Sequence, residues 1–178
     1  MRHVPVTTYF LEMRSPDELR PRRLDDARLV IRRAETPCPE FNRFLYGAVG
    51  WSWYWIDKLA WSYEQWQAYV DRPELETWVA YFAGTPAGYF ELEHQAGGNV
   101  ELAYFGLLPH GLGRGWGAAL LTAAVERSWV AGASRVWVHT CSLDHPAALR
   151  NYVARGFRVY QEQQTTKWIE DAPRRDWP

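Results

Sequence analysis

Four glycines at alternate positions, Gly111, Gly113, Gly115 and Gly117, stand directly before the helix-forming run Ala118-Ala119-Leu120-Leu121. Without Cβ atoms the backbone there can approach a ligand closely, and the free N–H groups and positive dipole end of the following helix suit a pyrophosphate. As a mere turn the segment would cost helix stability without return, because glycine is a poor helix former. Two nucleotide motifs do not fit it. A Walker A loop ends in Gly-Lys-Ser/Thr, which is absent, and a dinucleotide fingerprint follows the first strand of a βαβ unit near a domain start. Three carboxylates precede the loop: Glu91 and Glu93 share one strand face by period-two alternation, and Glu101 lies on the next strand. Each is a candidate base or part of a solvated strand face. Beyond the loop, His139 and Cys141 share a strand face, with Asp144 and His145 close behind, a grouping that has to be weighed as a Cys–His nucleophilic site. A small thiol on a central strand is more simply packing, and the spacing is not that of zinc ligands, so no metal is assigned.

These groups need a scaffold, and 178 residues with 47% hydrophobic and 23% charged content supply one domain, burying roughly 70% of the unfolded surface. Strand signals run from Thr7 to Arg14, with a turn at Ser15-Pro16-Asp17. The segment 16–33 reads either as closing in a strand at Leu29-Val30-Ile31 or as a charged loop with a helical piece. Phe41, Phe44, Leu45 and Val49 predict a helix over 39–49, with proline in its first turn and Gly50 ending it. Ser62 and Gln65 form a capping-box pattern for a second helix over 62–71. Three antiparallel strands are expected at 76–83, 89–94 and 100–107, joined by turns at 84–88 and 97–99. A helix at 116–129 presents Leu120, Leu121, Ala124 and Val125 on one face; a strand at 135–141, a helix at 146–155 and a strand at 157–168 complete the pattern. The tail, 170–178, is charged and contains proline, as frayed ends do. The order predicts an α/β fold with a mixed sheet and helices on its faces.

Composition narrows the function. The formal charge of -1 provides no global positive field for nucleic acid, and no apolar run reaches the about 18 residues of a membrane span. Met1-Arg2-His3-Val4-Pro5 lacks the apolar core of a signal peptide, and Cys38 and Cys141 have no disulfide-framework spacing, so a reduced, cytoplasmic protein is expected. Aromatic residues are abundant, and Trp51, Trp53, Trp55, Trp61, Trp66 and Trp78 crowd one stretch.

The segment Leu107–Leu121 resembles the acetyl-CoA-binding motif of the GNAT superfamily of N-acetyltransferases, Gln/Arg-x-x-Gly-x-Gly/Ala. The pattern falls on Leu112-Gly113-Arg114-Gly115-Trp116-Gly117, with both motif glycines present, Leu112 in place of Gln or Arg, and Arg114 as the nearby cation. Leu107-Leu108-Pro109 is similar to the family's Val-x-Pro. Ala148-Leu149-Arg150-Asn151-Tyr152-Val153-Ala154-Arg155-Gly156-Phe157 is similar to its Ala-x-x-x-Tyr-x-x-x-Gly-Phe. The likeness covers residues 76–168 and extends to the N-terminal part by element order. It implies a GNAT-like, mostly antiparallel sheet flanked by helices, with the glycine-rich loop between the fourth strand and the following helix. It further implies a single domain over 1–178: an acceptor-side part over 1–75, an acetyl-CoA-binding core over 76–168 and a tail over 169–178.

The resemblance also implies roles. Acetyl-CoA as cosubstrate would lie along Phe105, Gly106 and Leu107 and against Gly113, Arg114, Gly115, Trp116, Gly117 and Ala118. His145 occupies the position of a frequent cofactor-contacting Asn. Tyr152 would protonate the CoA sulfur, the Leu107 N–H would polarise the thioester carbonyl, and Glu101 would deprotonate the amine through water, with Glu91 or Glu93 as substitutes. The expected reaction is direct acetyl transfer to an amine in a ternary complex, without a metal. A small-molecule amine stands ahead of a protein N-terminus or lysine as acceptor. Trp51, Trp53, Tyr54 and Trp55 could wall an apolar acceptor, hold a cationic amine, or pack under a loop or at a homodimer contact. A non-catalytic acyl-CoA-binding or regulatory domain is the alternative, and an ATP- or NAD-binding domain a further one.

Overall fold

Leu92, Val100, Leu102, Val136 and Val138 recur at every second position along three strands, which gives the central sheet an apolar face for helices to cover. In the computed structural model, which describes residues 1–170, that sheet has seven strands. They are β1 (Arg2–Met13), β2 (Leu29–Ala34), β3 (Leu75–Phe82), β4 (Thr85–Gln95), β5 (Asn99–Leu107), β6 (Arg135–Cys141) and β7 (Arg158–Ile169). Their spatial order is β2-β3-β4-β5-β6-β1-β7, antiparallel throughout except for the parallel pair β5 and β6. Helices α3 (Trp116–Val130) and α4 (Ala148–Ala154) cover the apolar face; Leu120, Leu121, Ala124 and Val125 of α3 are buried there, as their spacing predicts. Val79 and Tyr89, each one residue from a core position of that face, turn the other way and pack against Leu45 and Val49 of α1 (Pro39–Gly50). Helix α2 (Tyr63–Val70) lies beside α1, with Trp66 and Val70 against Tyr46, and begins in the capping box of Ser62 and Gln65.

Three features differ from the sequence pattern. The β3–β4 turn is only Ala83-Gly84, both at positive φ (49° and 86°), as a tight hairpin requires, so β4 begins at Thr85 instead of after 88. Pro86 is tolerated because the pairing shifts register beside it, between Ala80 and Tyr81. On α1 the buried stripe is Asn42, Leu45, Tyr46 and Val49, and Phe44 is exposed. The helix is rotated to bring the Asn42 amide to Glu91 Oε1 and Thr77 Oγ1, both at 2.8 Å, which satisfies a buried carboxylate. Finally, β1 is inserted between β6 and β7, so residues 2–13 lie in the opposite half of the sheet from the strands on which α1 packs.

The chain between β1 and β2 crosses the α3–α4 layer. The Arg20 N–H donates to the Arg155 carbonyl and the Arg22 N–H to Thr122 Oγ1, both at 2.9 Å, and 29–34 then forms the strand at the far edge. None of the helices among the described residues is long and apolar enough to cross a membrane. Residues 171–178 of the expected frayed tail lie outside the described residues.

Gly156, which ends α4, has φ +108°, and a Cβ there would overlap the Glu18 carbonyl of the crossing chain. Gly156→Ala should therefore lower stability by about 1–3 kcal/mol through strain and overlap, read as a lower urea midpoint. An unchanged midpoint would show that the crossing chain is not held against α4.

Candidate active site

Strands β5 and β6 pair only over Asn99–Glu101 with Arg135–Trp137. Immediately beyond, Leu92 faces Leu102 while Glu91 faces Tyr104, so Ala103 is an extra residue and β5 bulges. The bulge turns β5 away from β6, and the two strands border a cleft of about 770 Å³. Leu102–Leu107 and Val138–Cys141 line its sides. Gly113, Gly115, Gly117, Asn151 and Tyr152 line it from the α3–α4 side, and Tyr46, Trp53, Trp55, Tyr104 and Asp57 from the α1–α2 side.

The glycine-rich loop meets the cleft as its spacing predicts. Gly113 and Gly115 have φ +74° and +79°, and nothing lies within 4 Å of a Cβ built on either. Gly115 is the N-cap of α3 and offers no capping side chain, so the first N–H groups of a 15-residue helix are left for a ligand. Leu108 N–H donates to the Ala87 carbonyl of β4 at 2.9 Å; alternation along the strand turns Leu107 N–H the other way, toward the cleft. Phe105, Gly106, Leu107, Gly117 and Ala118 all line the cleft. An open glycine backbone, a helix N-terminus and a strand edge freed by splaying are the donors that a pyrophosphate and an amide-bearing pantetheine arm call for.

Two expected contacts are different in kind. Arg114 folds back, its Nε donating to the His110 carbonyl at 2.9 Å and its guanidinium lying 5.2 Å from the Trp116 ring. Trp116 is itself buried against Phe82, ring centres 4.4 Å apart. Arg114 and Trp116 both lie outside the cleft lining, whereas Leu112, Gly113, Gly115 and Gly117 are part of it. His145 does line the cleft; its Nδ1 accepts from Ala147 N–H at 3.0 Å and its ring meets Trp53 at 4.8 Å.

Tyr152 is buried at the cleft wall between Phe105 and Phe157, with ring centres 5.9 Å from each. Burial, with the nearby Asp144 charge, pushes its phenol well above the usual range, which keeps it protonated. The three candidate carboxylates are sorted by their surroundings. Glu91 is fully buried, accepting from Asn42 and from Tyr69 OH at 2.6 Å, and burial raises its pKa. Glu93 is paired with Arg72 at 3.3 Å. Glu101, with a side chain only 14% exposed, lies outside the cleft lining, bonded to Gln95 at 2.8 Å and 3.4 Å from His139 Nδ1. His139 does reach the cleft, half exposed.

The Trp-rich stretch divides in two. Trp53, Tyr54 and Trp55 line the cleft, whereas Trp61 and Trp66 pack with Tyr69 beneath it, and Lys58 lies 3.6 Å from the Trp61 ring and 4.2 Å from that of Tyr69. Trp55 meets Tyr46 and Tyr104, and its Nε1 donates across the cleft to Asp144 Oδ1 at 3.2 Å. Asp144 also accepts from Thr140 Oγ1 and Cys141 N–H. This tether, with Asp57, Tyr104 and Asn151, escapes sequence reasoning, since nothing in the spacing joins residues 55 and 144.

Cys141 and His139 both border the cleft, but burial and the Asp144 carboxylate push the Cys141 thiol up, which disfavours the thiolate a nucleophile needs. Iodoacetamide at pH 7 should accordingly modify Cys141 more slowly than a free thiol; mass spectrometry showing faster modification would restore a thiolate role. Among the described residues no group of three or more His, Cys, Asp or Glu is placed to hold a metal.

Solved structures share this architecture. A GCN5-related N-acetyltransferase from Kribbella flavida superposes with a TM-score of 0.65 at 18% identity, covering 92% of this chain and 58% of that one. One from Sphaerobacter thermophilus gives 0.67 at 19%, covering 93% and 52%. This chain thus spans little more than half the length of either. An IAA acetyltransferase from Bacillus cereus gives 0.55 at 26%, covering 75% of this chain and 79% of that one. No curated protein matches the chain. The sequence model of the Acetyltransferase (GNAT) family matches residues 34–157, the span from the end of β2 through the Tyr152 helix to Phe157. With more than half its length matched and the cleft in place, the chain belongs to the GNAT acetyltransferase family.

Proposed function

We propose that the protein is an N-acetyltransferase that moves the acetyl group of acetyl-CoA to the primary amine of a small molecule, by direct attack in a ternary complex. The observation that carries this reading is the buried, protonated Tyr152 phenol on the cleft wall beside Phe105–Leu107, where β5 has parted from β6. When bound, acetyl-CoA supplies an activated acyl group. The backbone of Gly113–Gly117 and the α3 N-terminus bind its pyrophosphate, Leu107 N–H donates to the oxygen where negative charge develops, and Tyr152 gives its proton to the sulfur. Glu101 provides the basic charge on the acceptor side.

A small acceptor fits the cleft lining on the α1–α2 side. Tyr46, Trp53, Trp55 and Tyr104 form an aromatic wall for an apolar or cationic body, and the Trp55–Asp144 bond joins two residues of the cleft lining. Two free cysteines, Cys38 and Cys141, accord with action in the cytoplasm.

Calorimetry should show acetyl-CoA binding in preference to ATP and NAD. Gly115→Glu, which puts bulk and negative charge into the cradle, should abolish it. Release of CoA thiol, followed with 2-phenylethylamine, spermidine and a lysine-containing peptide, should be fastest with a small amine. Tyr152→Phe should lower kcat about 100-fold with acetyl-CoA affinity unchanged. Acetyl-CoA binding without turnover of any amine would identify a non-catalytic acyl-CoA-binding domain instead.

A further inference from the structure

Glu101, the carboxylate that the family resemblance marks as the base, does not itself reach the cleft; His139 stands between them. Side-chain chemistry orients the whole chain of contacts. The Trp137 indole can only donate, and its Nε1 lies 3.0 Å from Gln95 Oε1. That contact fixes the Gln95 amide with its NH₂ group toward Glu101 Oε2, at 2.8 Å, so Glu101 accepts there as a carboxylate. The other carboxylate oxygen, Oε1, faces His139 Nδ1 at 3.4 Å. A carboxylate beside Nδ1 favours the tautomer with its proton there, which leaves Nε2 as the acceptor of a ring that lines the cleft.

We infer that His139 is the catalytic base that receives the acceptor's proton, and that Glu101, Gln95 and Trp137 are positioning residues acting through it. The inference rests on the N-acetyltransferase reading. In the step, the acceptor ammonium gives a proton to His139 Nε2. The freed nitrogen lone pair forms the C–N bond and the C–S bond breaks. The sulfur takes the Tyr152 proton, the phenolate recovers the second nitrogen proton through water, and His139 returns its own proton to solvent. One amide, one thiol and one proton result from one ammonium and one thioester.

The surroundings permit this assignment. From β1, Phe10 lies against the imidazole with ring centres 6.0 Å apart, and from β6 Trp137 at 6.1 Å. Farther along β1 and β6, Glu12 is paired with Arg135 at 2.7 Å and with Arg14 and Arg158, so that group is internally compensated. On the cleft side the charged groups are Asp144, already held by Trp55 and Thr140, Asp57 from the α1–α2 connection, Arg150 from α4 and Lys167 from β7, with Cys141 and His145 as further titratable ones. Glu101 on β5 is the carboxylate in contact with the ring.

The test combines kinetics of single and double variants, using whichever of 2-phenylethylamine, spermidine or the lysine peptide the wild type acetylates fastest. His139→Gln should lower kcat/KM about 100-fold and remove the rise of rate with pH, and imidazole should restore part of the rate to His139→Ala. His139→Asn replaces that variant if it fails to bind acetyl-CoA. Glu101→Gln removes the carboxylate that orients the ring, so it should lower kcat/KM about tenfold in the wild-type background and have no further effect when added to His139→Gln. An unchanged pH profile in the His139 variants, or a Glu101→Gln effect that persists undiminished in the His139→Gln background, would overturn the inference while leaving the acetyltransferase reading intact. Acetyl-CoA binding by wild type without turnover of any of the three amines would overturn both.

Discussion

Everything functional in this chain depends on the parting of β5 from β6 after three paired positions. A parallel pair that continued to Leu107 would have its backbone groups satisfied by the neighbouring strand, and no cleft would exist. The bulge at Ala103 prevents that by adding one residue to β5 against β4. The consequences follow in order: β5 bends, Leu107 N–H turns to open space, and the loop beyond it delivers Gly113–Gly117 to the same opening. Helix α3 then starts where the cleft needs donors, and Tyr152 of α4 closes the wall.

The acceptor side rests on a buried polar arrangement. Glu91 is taken wholly out of water, which is tolerable because Asn42 and Tyr69 bond its oxygens and the Lys58 and Arg72 charges lie near. The same contacts dock α1 and α2 on the sheet and so hold Tyr46 beneath Trp55 and Tyr104. From there Trp55 crosses to Asp144, tying the two lobes of the cleft together. The buried carboxylate therefore acts structurally, whereas Glu101 faces a histidine that lines the cleft.

Local patterns were legible from the residues alone. The glycine spacing and the helix after it, the Ser62–Gln65 capping box, the buried stripe of α3 and the helix Ala148–Ala154 are each written within a short stretch, and each forms as its pattern implies. Features set by distant partners were not. The rotation of α1 depends on Glu91, some 49 positions away from Asn42. The insertion of β1 between β6 and β7 depends on pairing across most of the chain. Glu101 was recognisable as a candidate base, but its turn toward Gln95 and His139 depends on side-chain partners from β4 and β6. Arg114 was visible as a cation near the loop, yet its bond to the His110 carbonyl and its stacking on Trp116 draw it away.

The most direct test of the account is a crystal structure of the acetyl-CoA complex. It predicts the pyrophosphate on the Gly113–Gly117 backbone, the pantetheine arm along Phe105–Leu107 between the parted strands, and the thioester sulfur within hydrogen-bonding distance of Tyr152 OH. Acetyl-CoA bound outside the β5–β6 cleft, or seated there with its sulfur directed away from Tyr152, would contradict it.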